Sequence, residues 1–171
     1  HTAESELAGR FPPGYSVHAL NDREVCVGAE MLAWLARSQR MPGLKASQSV
    51  SGLCREKAAP EVHAGYDAPF PDEEHMVAVR QFAMLIPLRP GDEGAVLNRR
   101  TWQVLGAFER PLLTVYGDSD PCTGGWGEIF QERVPGAKGQ PHVVLEGAGH
   151  FLGEDRPDDF ARYALEFVQS T

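Results

Sequence analysis

Apolar positions along the chain fall into helical and strand-like runs of unequal clarity. Over Ala29–Arg40, Met31, Trp34, Leu35 and Ser38 share one face at helical spacing, and Pro42-Gly43 stops the pattern. A second helix is predicted over Asp72–Leu85. Asp72 can cap its start, Glu73 and Glu74 suit the positive end of the helix dipole, and Met76, Val79, Phe82 and Ala83 recur on one face. The sequence between these helices is polar and loop-like, and residues 1–97 hold no convincing strand.

From residue 98 the pattern becomes regular. Asn98 can cap a helix carrying Trp102 and Leu105. Pro111–Tyr116 is an apolar, β-prone run closed by the turn sequence GDSDP. Gly125–Val134 reads as a helix with Trp126, Ile129, Phe130 and Val134 on a face, and Val143–Glu146 as a short buried strand. The last helix starts at Pro157, with Asp158 and Asp159 in its first turn and Phe160, Ala164, Phe167 and Val168 along one stripe. Helix, strand, helix, strand, helix is an α/β order and implies parallel strands. Two parallel strands do not make a covered sheet. Residues 98–171 therefore read as the end of a larger parallel sheet, and residues 1–97 as a helical region with a linker.

Composition narrows the function. The 171 residues carry a net charge of −8 with no basic run, which sets nucleic acid aside. Apolar residues make up 42%, enough for a core, and 18 glycines and 13 prolines indicate many turns. No apolar stretch approaches the roughly 20 residues that span a bilayer. The N-terminal HTAESELAGR lacks the basic-then-apolar order of a signal peptide. Cys26, Cys54 and Cys122 are sparse and odd in number, which fits a reducing compartment, the cytoplasm, and matches no zinc spacing.

Candidate chemistry lies in two loops, because ligands of open α/β sheets bind beyond the carboxyl ends of the strands. Gly117-Asp118-Ser119-Asp120-Pro121 follows the first strand and Gly147-Ala148-Gly149-His150 follows the second. Asp120 alone reads equally well as a turn or capping residue. A lone histidine after a strand is more often a solvated surface group. Together, an acid followed in the chain by a histidine is the order found in α/β-hydrolases, where the carboxylate orients the imidazole and stabilises its charged form. The nucleophile elbow of that fold is absent. Gly65-Tyr66-Asp67-Ala68-Pro69 comes nearest, but Pro69 stands in place of the final glycine and no strand precedes it; Ser16 and Ser51 lie in no such context. His18, His63, His75 and His142 have no partner that the sequence names, and Trp102 and Trp126 read as packing residues.

From about residue 29 onward the chain resembles haloalkane dehalogenases of the α/β-hydrolase fold, in the subfamily whose catalytic acid follows the seventh strand. The resemblance rests on AEMLAWLARSQRMP (29–42), GYDAPFPDEEHMVAVRQFAMLIP (65–87), TVYGDSDP (114–121) and GAGHFLGED (147–155). It implies that residues 1–97 form a helical cap and residues 98–171 the C-terminal part of the core. It implies a mechanism in which an aspartate attacks the halogen-bearing carbon and histidine-activated water hydrolyses the resulting ester. His150 matches the base, Asp120 its orienting acid, and Trp34 the cap tryptophan whose indole N–H binds the leaving halide; Phe82 matches a pocket-lining aromatic. Helical spacing explains Trp34 and Phe82 equally well as core. Ala83 departs from the family, which often has proline there, and bears on pocket shape and halide preference. No position matches the nucleophile, which the resemblance places in an N-terminal half or complementary chain outside these residues. The implied partners are a small halogenated hydrocarbon and a halide ion, with no cofactor, metal, nucleic acid or membrane. Two other readings stand beside this one. An epoxide hydrolase of the same fold would use cap phenols, for which Tyr15 and Tyr66 are the candidates. A non-catalytic fragment or homologue would instead bind a partner.

Overall fold

The structure, a computed structural model, describes residues 29–87 and 91–171. Tyr15, Ser16, His18 and Cys26 lie outside the described residues, as does the side chain of Met31. In chain order the elements are α1 (Ala29–Arg40), α2 (Ala46–Ser51), α3 (Pro60–Asp67), α4 (Val77–Met84), α5 (Glu93–Leu105), β1 (Val115–Gly117), α6 (Trp126–Arg133), a 3₁₀ turn (Pro135–Ala137), β2 (Val143–Leu145), α7 (Leu152–Asp155) and α8 (Pro157–Ser170). They group into two compact units. One joins the stretch ending at Lys45 to Pro69–Val104; the other joins Ala46–Ala68 to Leu105–Thr171.

In the first unit α1 has the predicted bounds and packs against α4. Leu35, Leu44, Met76, Ala83, Ala95 and Trp102 are its buried apolar residues. Arg80 of α4 fixes the end of α1. Its guanidinium donates to the carbonyls of Ser38 and Met41 at 2.7 and 2.9 Å, which would otherwise be orphaned at a helix C-terminus. Glu73 completes the clamp, accepting from Arg80 at 2.8 Å and from the Gly43 N–H at 2.9 Å. The helix predicted from Asp72 begins only at Val77. The Asp72 carboxylate instead accepts the N–H of His75 at 3.1 Å and caps a turn. Met76 and Ala83 point inward, whereas Phe82 is 71% exposed. Helix α5 starts at Glu93 and not at Asn98, so the 97/98 division falls inside it. Gly94 in its first turn weakens the helical signal there.

The second unit contains two helices where a loop was expected, α2 and α3. Both are short, and a bond across them secures the first. Asp67, ending α3, accepts the backbone N–H of Ser47 at 3.0 Å and its hydroxyl at 2.9 Å. Such a cap comes from a residue distant in sequence and leaves no local pattern. β1 and β2 pair in parallel, with Val115 opposite Val143 and Gly117 opposite Leu145. The first strand is shorter than its apolar run because Leu112 donates to Gly136 in the 3₁₀ turn at 2.9 Å and so leaves the ladder. His142 anchors the strand entry. Its Nδ1 accepts the Thr114 N–H at 3.1 Å, and its Nε2 donates to the Ala137 carbonyl at 2.7 Å. Val134, Ala137, Leu145 and Ala148 are buried here. No helix among the described residues is long and apolar enough to cross a membrane.

Candidate active site

The two parallel strands end side by side, and their following loops are stitched together. Asp118 donates its N–H to Leu145 at 3.1 Å, Ser119 donates to Ala148 at 3.0 Å, and Gly147 donates back to the Asp118 carboxylate at 3.1 Å. The approach is so close that two positions admit only glycine. A Cβ on Gly117 would collide with the Ala148 carbonyl, and one on Gly149 with the carbonyl of Leu53. This backbone contact brings Asp120 and His150 together.

His150 Nδ1 lies 3.0 and 3.1 Å from the two carboxylate oxygens of Asp120. The Asp120 side chain is 4% exposed and that of His150 31%. Burial pushes the Asp120 carboxyl up. Hydrogen bonds from the Thr123 hydroxyl, the Cys122 and Thr123 N–H groups and His150 outweigh it, and the pKa falls below the ordinary carboxylate value. Asp120 is therefore ionised at neutral pH and accepts the Nδ1–H of His150. That fixes the tautomer with a basic Nε2. His150 also packs edge-on against Phe151, with ring centroids 5.2 Å apart.

Asp155 is a positioning residue that the sequence reading missed. Its carboxylate accepts three backbone N–H groups, from Gly149 at 2.7 Å, Arg55 at 2.8 Å and Glu56 at 2.9 Å. His150 in turn donates its N–H to Leu53 at 2.8 Å. The histidine loop is thus held to residues 53–56 by three hydrogen bonds, and the Gly149 N–H ties Asp155 back to the loop itself. The only sequence trace is an acid five residues after the histidine, hidden among other acids.

Beside His150 lies a cavity of about 310 Å³ lined by Phe151, Leu152, Phe160, Tyr66 and Glu154. Tyr66 donates to Glu154 at 2.5 Å, and that bond pushes the phenol up to about 12. The other described histidines have ordinary partners. His63 pairs with the Ser51 hydroxyl at 2.7 Å and His75 with Asp72 at 2.7 Å. In the first unit Trp34 is half-buried on α1 and Phe82 exposed on α4.

No protein-family model matches the chain. Curated relatives do. A haloalkane dehalogenase of Psychrobacter cryohalolentis is 34% identical over 142 residues, 83% of this chain and 47% of that protein. One from Mycolicibacterium paratuberculosis is 38% identical over 138 residues, 81% of this chain and 46% of that protein. Among solved structures, a loop variant of a haloalkane dehalogenase from Bradyrhizobium elkanii superposes with a TM-score of 0.69 at 18% identity, over 94% of this chain and 56% of that one. A putative ancestral haloalkane dehalogenase gives the same TM-score over 57% of its length. The chain has the α/β-hydrolase fold of these structures and spans about half the length of the curated relatives it matches. Over the portion it spans, the chain is similar in sequence to the haloalkane dehalogenases.

Proposed function

We propose that this chain supplies the acid–base pair and cap of a hydrolase that converts haloalkanes to alcohol, halide and a proton. The observation that carries the reading is the hydrogen bond between buried, ionised Asp120 and His150. A nucleophilic aspartate, held in the portion of the relatives that this chain does not cover, attacks the carbon bearing the halogen. The C–O ester bond forms as the carbon–halogen bond breaks. His150 Nε2 then takes a proton from water, and the hydroxide adds to the ester carbonyl and expels the alcohol. Asp120 stabilises the imidazolium formed in that step. Trp34 donates its indole N–H to the departing halide, and Phe82 lines the apolar part of the site.

The epoxide-hydrolase reading needs a phenol that gives its proton to an opening ring. Tyr66 already donates to Glu154, and its raised pKa makes it a poor acid.

The test joins the chain, by co-expression, to the uncovered portion of a curated relative and measures halide release from a bromoalkane. His150→Gln should stop turnover while an ester adduct accumulates in the intact mass, since alkylation needs no base. Substrate binding without any adduct would overturn the two-step assignment.

A further inference from the structure

Cys122 follows Asp120 by two residues and belongs to neither the relay of protons nor the halide contacts. Its N–H donates to Asp120 Oδ1 at 2.8 Å, which pins it beside the carboxylate. One donor atom each from Cys122, Asp120 and His150 lies within 4.8 Å of the other two. Sulfur, carboxylate oxygen and imidazole nitrogen are the donor types that zinc takes, at about 2.3, 2.0–2.2 and 2.0–2.1 Å. Bond lengths of that order put tetrahedral donors roughly 3.3–3.8 Å apart, so the Asp120–His150 pair, now at 3.0–3.1 Å, opens by a few tenths of an ångström while the sulfur closes by up to about 1 Å.

We propose that Asp120, Cys122 and His150 together form a binding site for zinc-like divalent cations, one that takes the acid–base pair out of service when filled. Binding replaces the thiol proton, which passes to solvent, and the thiolate and carboxylate balance the two charges of the ion. The proton on the ligating imidazole nitrogen moves to the other ring nitrogen, so one proton is released per ion bound. The partly exposed His150 ring leaves the site open on one side, where water can complete four-coordination. Among the described residues Cys54 belongs to no such set of donors. Burial, then the charges of Asp155 and Glu154, push its thiol up to about 11, and it serves as an internal control. The site stands on donor geometry and holds whether or not the chain takes part in dehalogenation.

The test uses the full, reduced chain freed of metal by a chelator and then washed. Iodoacetamide labelling is followed cysteine by cysteine through peptide masses, with and without Zn²⁺. Zn²⁺ should slow labelling of Cys122 about tenfold or more, leave Cys54 unchanged, and lose that protection in His150→Gln. Co²⁺ should produce a thiolate charge-transfer band that Cys122→Ser abolishes. A Cys122 labelling rate indifferent to Zn²⁺, protection that survives His150→Gln, or a cobalt band that survives Cys122→Ser would each overturn the proposal. None of these readouts involves halide release, so either proposal can fail alone.

Discussion

Trp34 poses the sharpest question at the scale of one residue. A tryptophan on the apolar face of a helix is ordinarily core, and its indole N–H finds a carbonyl. Trp34 is only half-buried, and it rides on a helix whose last turn is clamped by the Arg80 guanidinium and Glu73. Clamping of that kind suits a donor that must hold its aim. Trp34→Phe keeps the ring and removes the N–H. In the co-expressed enzyme the turnover of a bromoalkane should fall about 100-fold or more, as for loss of one preorganised donor to a developing anion. Stability should shift little. Unchanged halide release with lowered stability would make Trp34 a packing residue.

Among the elements, the loop that presents His150 depends on Asp155. Three N–H donors converge on one carboxylate, whose pKa they hold below the ordinary value against the opposing effect of burial. A depressed folded-state pKa adds stability that is present above the unfolded value near 3.8 and disappears as the pH falls through the folded one. Asp155→Asn should therefore cost about 2 kcal/mol at neutral pH, the scale of lost charge-assisted hydrogen bonds. It should also flatten the loss of stability that the parent shows below about pH 4. Urea midpoints across that range check both; equal midpoints at neutral pH would remove Asp155 from the loop's support. The pair itself was legible in the sequence because strand ends and turn residues are local signals, and both Asp120 and His150 follow such ends. Asp155, the Asp67 cap on α2 and the Arg80 clamp were not legible. Each joins segments far apart in the chain, and each uses a residue type that is common on any surface. The same reason hid α2 and α3, whose few turns are held by such bonds and not by an apolar stripe.

At the scale of the whole molecule, several large apolar side chains among the described residues stand exposed. On α8, Phe160 and Val168 of the stripe predicted to be buried are 40 and 72% exposed, and Leu165 beside that stripe is 61% exposed. Val144 of β2 is 69% exposed, in a sheet that has two strands among the described residues. A parallel strand pair is stable when helices or further strands cover both faces, and a strand edge with free backbone groups recruits others. The curated relatives are about twice as long as the stretch that matches this chain. The 171-residue chain alone should therefore bind a hydrophobic dye and self-associate in light scattering as concentration rises. Co-expression with the uncovered portion of a relative should suppress both and yield one sharp unfolding transition. Replacing the exposed Leu165 and Val168 by Lys should improve the behaviour of the lone chain and impair the co-expressed complex, because the same apolar side chains serve both associations. A lone chain that is monomeric, free of dye and cooperatively unfolding would mean that the exposed stripe is tolerated surface and the sheet is already complete.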